Sequence, residues 1–492
     1  MNSSNRHFMS LTIALLVLVV QPCVVYSLGV GSFQHVVSSP FAAGIAPAWS
    51  AFSPVIMDKL FVAIPNYDDA TVSVYELNQT TGFLTQVAGS PFASGVNPAA
   101  LDYSPVASEN LFIAVVNYND NTVSVYSVNP SNGALTQVSG SPFATGGGPY
   151  SVAYSSVVSG NLYAAINNSF DNTVSVYSVD QTTGVFTEVV GSPFATGSGP
   201  YTVAFSPIVA GNFYAAVTNY NDNTVSVYSV DQTTGAFTQV VGSPFVTGSA
   251  PYGIDYSPEI GGNFFAAVVN LNDNTVSVYS IDQMTGAFTQ VAGSPFVTGT
   301  GANEVAYSPV VSGSLFAAVV NFASNNVSVY SVNPITGAFT EVTGSPFATG
   351  MAPDGIAYSP LISGNLFAVT ANFSSNDASV FQVIIPPQPP SHIKGCRLKS
   401  VFLGKKGLVN VIRWRQPEMG LVPVDYYIYR NAELTDLAVI IPADQTLEFA
   451  DIGRQKDVVY TYYIVSHDAN NSFSSPGVIT VTERCHCSDF KN

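Results

Sequence analysis

The chain has 492 residues, of which 9% are charged, and a formal net charge of −17. That length exceeds one ordinary core, so two or more units are expected. From Leu28 to Ile385 a single basic side chain, Lys59, faces 20 Asp and Glu, whereas from Pro386 onward 12 basic residues meet 11 acidic ones. The acidic part cannot neutralise phosphates, which excludes nucleic acid and anionic membrane surfaces as its partners.

Arg6 precedes an apolar run, Met9 to Val20, which reads as a secretory signal peptide over 1–27 with a cut after Ser27, an uncleaved anchor being the alternative. Gln21-Pro22-Cys23 makes a poor lipoprotein site, because proline precedes the cysteine. No second long apolar segment follows, so the mature chain is expected to lack a transmembrane segment and to be secreted, periplasmic or displayed at the cell surface.

From residue 28 to 385 one text recurs. Pro-Phe stands at Pro40, Pro91, Pro142, Pro193, Pro244, Pro295 and Pro346, a period of 51. A fixed period of this size signals a repeat architecture. The copy at 198–248 divides into four short β segments: Tyr201 to Ser206, Asn212 to Thr218, Thr224 to Val230 and Ala236 to Val241. Asn219-Tyr220-Asn221-Asp222-Asn223 joins the second to the third, and Asp231-Gln232-Thr233-Thr234-Gly235 joins the third to the fourth. Both connections are rich in residues that tolerate a left-handed backbone. The second segment is almost continuously apolar, as in a strand covered on both faces. Radial stacking of sheets provides that cover, and the period fits a β-propeller blade. The Asn that ends the second segment occurs seven times, from Asn66 to Asn372. The fourth segment first appears at Phe33, before any other segment, and none follows Phe381. Ser32 to Val37 is therefore expected to complete the last blade beside Ala378 to Val383, which closes the ring and leaves no long free edge.

Val-Thr-Asn-Tyr-Asn-Asp-Asn-Thr-Val-Ser-Val-Tyr, followed by Gly-Ala-Phe-Thr-Gln-Val-Val-Gly-Ser-Pro-Phe, resembles the YVTN-type repeat of seven-bladed lactonase-like propellers over 29–385. The resemblance implies an all-β, seven-bladed β-propeller. It implies no single chemistry, since the superfamily holds 6-phosphogluconolactonase-like enzymes and also surface-layer or binding propellers.

Pro386 to His392 reads as a stiff Pro-rich linker. Residues 393–484 carry several short alternating strands, with Trp414 on an early one. The order Trp-x-x-Pro, Tyr-x-Ile-Tyr-Arg, Tyr-x-Tyr-x-x-Val is similar to a fibronectin type III domain, an immunoglobulin-like β-sandwich. The resemblance makes Trp414 the core anchor and Tyr460 the tyrosine-corner residue. Residues 485–492 form a tail. Cys396, Cys485 and Cys487 remain after cleavage. A disulfide from Cys396 to one of the others, a soft-metal set at Cys485-His486-Cys487 and a loose tail are the open alternatives.

The turns after the second and fourth segments are expected to share one face of the ring, with the start of each first segment pointing into its mouth. This places Tyr150, Tyr201, Tyr252, Asn303, Glu304 and Asp354 there as candidate ligand-binding residues. The last three depart from the repeat, as specificity requires. A lactonase needs groups that polarise a carbonyl, and the resemblance implies combinations of His, Arg and Glu. The propeller holds one histidine, His35, and no arginine. Glu304 and Asp354 remain as weak catalytic candidates on a neutral lactone, without an oxyanion stabiliser. Asp120, Asp171, Asp222 and Asp273 invite a calcium reading. Asn and Asp are ordinary turn formers, though, and Ser324 and Ser375 take the later copies, so no metal and no cofactor are expected. The leading expectation is an exported, non-catalytic binding or surface protein with a protein or glycan partner. The alternatives are a lactonase-type hydrolase and a structural surface-array protein. Sequons stand at Asn78, Asn167, Asn326, Asn372 and Asn470.

Overall fold

The computed structural model describes residues 29–387, 389–402, 405–417, 423–455, 458–468, 473–474 and 476–482. The expected signal peptide, the sequon Asn470 and the Cys485-His486-Cys487 tail lie outside the described residues. Among the described residues all regular structure is β, and no helix is long and apolar enough to cross a membrane.

Seven five-stranded antiparallel sheets follow one another along the chain. Blade 4 is representative. Its inner strand Pro200–Phe205 pairs with Tyr214–Asn219, which pairs with Thr224–Val230, and that strand carries both Phe237–Gln239 and the short Phe245–Val246. Tyr214–Asn219 is fully buried along its length, the burial expected of a strand packed on both faces. Seven apolar clusters each join one blade to the next. One holds Val217 and Phe213 of blade 4 with Ala165 and Val176 of blade 3. Another holds Val62 and Ile64 of blade 1 with Phe367 and Val369 of blade 7, so the ring is closed. The N-terminal strand Phe33–His35 forms the outer edge of blade 7, with Phe33 opposite Val383 and His35 opposite Phe381.

Gly235 shows why the outer hairpins keep glycine. Its φ is +76°, and a Cβ there would sit 2.5 Å from the Tyr163 ring of blade 3. Left-handed backbone and a neighbour's aromatic ring are accommodated by the same missing side chain.

Beyond the propeller, Ile385 packs into the blade 6–blade 7 cluster. Strand Ser391–Phe402 begins within the segment expected to be linker. It forms a three-stranded sheet with Lys405–Arg415 and Glu448–Arg454. A four-stranded sheet runs in the order Leu437–Pro442, Pro423–Tyr429, Tyr460–Asp468, Gly477–Val481. Ile412 and Trp414 of the first sheet share one core with Tyr426, Ile428, Tyr462 and Ile464 of the second. Behind that core, Arg430 forks onto buried Asp451, which also accepts the Tyr462 hydroxyl at 2.8 Å. Cys396 is buried and disulfide-bonded, and the other three cysteines lie outside the described residues.

Candidate functional site

One face of the ring is built from the two expected turn types, stapled together. Gly197 N–H donates to Asn219 Oδ1 at 3.0 Å, and Ser198 N–H donates to Asp222 Oδ2 at 2.7 Å. Asn219 Nδ2 donates to Thr224 and Ser226 across the following hairpin. The seven asparagines of this set are completely buried, and all but Asn372 accept the backbone N–H of the glycine in the preceding turn. The Asp set does related work. Asp120, Asp171, Asp222 and Asp273 each take a backbone N–H of the preceding turn. Where serine replaces them, Ser324 and Ser375 accept the equivalent N–H through Oγ. A hydroxyl that takes the same N–H as the carboxylate identifies this position as a turn clamp. No group of three or more His, Cys, Asp or Glu able to hold a metal occurs among the described residues. Burial also removes two sequons, since Asn167 and Asn372 have no exposed surface.

The six candidate residues divide. Tyr150, Tyr201 and Tyr252 converge at the mouth, their rings 3.9 and 3.6 Å apart between successive centroids. Tyr150 and Tyr252 hydroxyls stand 3.0 Å apart, and Tyr201 meets Tyr252 hydroxyl to hydroxyl. Asn303 Nδ2 donates to Asp354, both to its carboxylate and to its carbonyl. Burial pushes the Tyr150 and Tyr252 hydroxyls up, and the nearby Asp354 carboxylate reinforces this in both. Burial likewise pushes Asp354 up to about 6, with the Asn303 hydrogen bond opposing. Tyr118 packs edge-on against Tyr150, and Tyr220 leans on Tyr201.

Glu304 does not join the mouth. It is one residue beyond Asn303 on the same strand, and alternation sends it to the opposite side. It lies over Gly253, where a Cβ would fall 2.6 Å from its Oε2. There it lines a channel cavity of about 350 Å³, together with Trp49, Asp102, Thr202 and Asp255. Its Oε2 is enclosed with no hydrogen-bond partner. Burial pushes the Glu304 carboxyl well up, and Asp255 and Asp354 add to the shift. Asp102 and Asp255 are pushed up to about 7 by burial, against the backbone N–H bonds they accept. Those bonds tie each aspartate to the adjacent blade, from Tyr154 N–H to Asp102 Oδ2 and from Tyr307 N–H to Asp255 Oδ2, each 2.8 Å. His35 is far from this chemistry. It is exposed on the outermost strand, with Nε2 3.0 Å from the Ala348 carbonyl.

Asp102, Asp255 and Trp49 were not among the sequence candidates, although the signal was present. Aspartate stands at the fifth position of two inner strands where the other five carry alanine, and Trp49 takes a third position held elsewhere by smaller residues or Glu304. The buried carboxyls can donate or accept hydrogen bonds, or pair with a cation. A carbonyl-polarising cation is not among the residues lining the cavity.

Comparison with known proteins gives three results. No curated protein matches the sequence. Among solved structures, a protein from Lactobacillus plantarum aligns with a TM-score of 0.49 at 18% identity, over 64% of this chain and 88% of its own. The periplasmic gluconolactonase of Pseudomonas aeruginosa gives 0.46 at 21%, over 61% and 86%. The SapL1 lectin, solved with alpha methyl fucoside, gives 0.44 at 16%, over 62% and 97%. Residues 52–250, which span most of blades 1 to 4, match the family described as lactonase, 7-bladed beta-propeller, and over that stretch the chain is similar to lactonase-type propellers.

Proposed function

We propose that the protein is an exported, non-catalytic binding protein whose propeller mouth takes a neutral polyhydroxylated ligand, a glycan. The observation that carries this reading is the convergence of Tyr150, Tyr201 and Tyr252 beside the Asn303–Asp354 pair. Flat amphipathic rings stack on sugar faces while their hydroxyls hydrogen-bond. The amide and carboxyl alongside supply donors and acceptors at a fixed spacing. The N-terminal apolar segment supports export. The C-terminal unit acts as a spacer of fibronectin type III type. Trp414 is buried in its core, and the Tyr460 hydroxyl accepts the N–H of Gln455, five residues upstream, at 3.1 Å, as a tyrosine corner does.

Glycan-array binding by the purified full chain tests this, with Tyr201→Ala and Tyr252→Ala as variants. Retention of a defined set of glycans, lost in both variants, is the expected result. No binding to any glycan or cell-surface extract counts against it. A second reading, a hydrolase of neutral lactones, draws on one observation, the enclosed Glu304 carboxyl with an unpartnered oxygen. Lactone hydrolysis abolished by Glu304→Gln or Asp354→Asn is the result that would favour it.

A further inference from the structure

Below the mouth lies a site of a different character. The channel cavity of about 350 Å³ is lined by three carboxyl side chains, Asp102, Asp255 and Glu304, and none of its lining residues is Lys, Arg or His. Asp102 and Asp255 each have one oxygen occupied by a backbone N–H from another blade. Glu304 differs. It is 3% exposed, and its Oε2 has no donor. A buried acceptor left unpaired is costly, and a buried carboxylate without a counter-charge more so. The Val305 backbone N–H bonds the Glu304 carboxyl but leaves Oε2 unpaired, and Gly253 opposite it presents no side chain that could serve it. Trp49 adds an aromatic ring to the wall of the same cavity.

We infer that this cavity is a binding site for a small primary ammonium ligand, with Glu304 and Asp255 as its anionic contacts. A primary ammonium supplies both missing elements, a positive charge and N–H donors. The face of an indole also attracts cations, so Trp49 favours the same occupant. Asp102 in the same cavity suits a second ammonium, which makes a short linear diamine the best fit. A metal ion is a poorer occupant, since no three acidic groups come together as a ligand set among the described residues. The cavity lining does not include the tyrosines of the mouth, so a ligand there contacts a different set of residues.

The test is calorimetric titration of the purified full chain with 1,4-diaminobutane at neutral pH, with tetramethylammonium as a cation that has no N–H. The expected result is saturable binding of one diamine per chain. Glu304→Gln and Asp255→Asn, both close in shape to the residues they replace, should each weaken it about tenfold or more. Tetramethylammonium should bind at least about tenfold more weakly than the diamine. Asp180→Asn, on an exposed outer hairpin, should leave the titration unchanged. The inference is overturned if the native chain shows no saturable binding. It is also overturned if both carboxamide variants bind like the native chain, or if tetramethylammonium binds as well as the diamine. If Glu304→Gln fails to fold, Asp255→Asn and Asp102→Asn decide the matter by the same criterion. Glycan capture measured on the same samples separates failure of this site from failure of the mouth.

Discussion

Blade 1 lacks one fastening that the other steps around the ring possess. Asn121, Asn172, Asn223, Asn274, Asn325 and Asn376 all adopt φ between +53° and +59°. Each Oδ1 accepts the N–H at the start of the next inner strand: Gly148, Gly199, Ala250, Gly301, Ala352 and, across the closure, Ala46, at 2.7 to 2.9 Å. The equivalent residue in blade 1 is Ala70, at φ +52° and with no acceptor to offer Asn97. Left-handed backbone is unfavourable for alanine by about 1 kcal/mol and tolerated by asparagine. A net hydrogen bond adds roughly 0.5–1.5 kcal/mol. Ala70→Asn should therefore stabilise the propeller by about 1–2 kcal/mol. For a unit of this size, unfolding entropy scales to raise the melting temperature by roughly 1–3 °C. Ala70→Gly relieves the backbone alone and should recover only part of that gain, while Asn223→Ala should lose a similar total. Scanning calorimetry of the four proteins measures both contributions. If Ala70→Asn melts no higher than Ala70→Gly, the hydrogen bond across the blade junction is not a stabilising element.

Three further outcomes follow from the channel and the turns. Burial pushes Asp102 and Asp255 up to about 7 and Asp354 up to about 6 in the folded chain. Between pH 4 and 7 the folded state therefore holds protons that the unfolded state has released, and stability falls as pH rises through that window. Asp180, Asp231 and Asp282 are held below the usual carboxylate range chiefly by threonine backbone N–H groups, and their contribution disappears in stronger acid. The urea midpoint should be higher at about pH 4.5 than at pH 8, and the reverse order contradicts the assignment of buried carboxyls. Gly253→Ala places a methyl group against the Glu304 carboxyl and the Asn303 carbonyl. It should destabilise by about 1–3 kcal/mol in chemical unfolding and weaken diamine binding by displacing Glu304. Asp222→Ser should keep the clamp on Ser198, as Ser324 does on Thr300, whereas Asp222→Ala should lower the unfolding midpoint. Neither protein should respond to added calcium, and a calcium-dependent shift that Asp222→Ala removes would restore the metal reading.

The repeat made the ring legible without coordinates. A period of 51, seven recurring asparagines and a displaced first strand at Phe33 are consequences of local pairing and of the need to cover both sheet faces. Turn chemistry was legible for the same reason, because Asn, Asp and Gly act on backbone a few residues away. The channel was only half readable. Tyr150, Tyr201 and Tyr252 recur 51 residues apart, and that spacing carries them to one mouth. What sequence could not supply was the side on which each departure from the repeat falls. Asn303 and Glu304 are adjacent in the chain, yet one pairs with Asp354 and the other lines a cavity beside Asp255. Whether a given aspartate clamps a turn or lines the channel was likewise decided by the ring. Asp222 lies exposed at the rim, while Asp102 and Asp255 stand deep in the channel, where three blades bring their carboxyls to one cavity. Contacts within a hairpin are short-range and written in the repeat, whereas the charge and solvation of the channel are sums over all seven blades and exist only once the ring has closed.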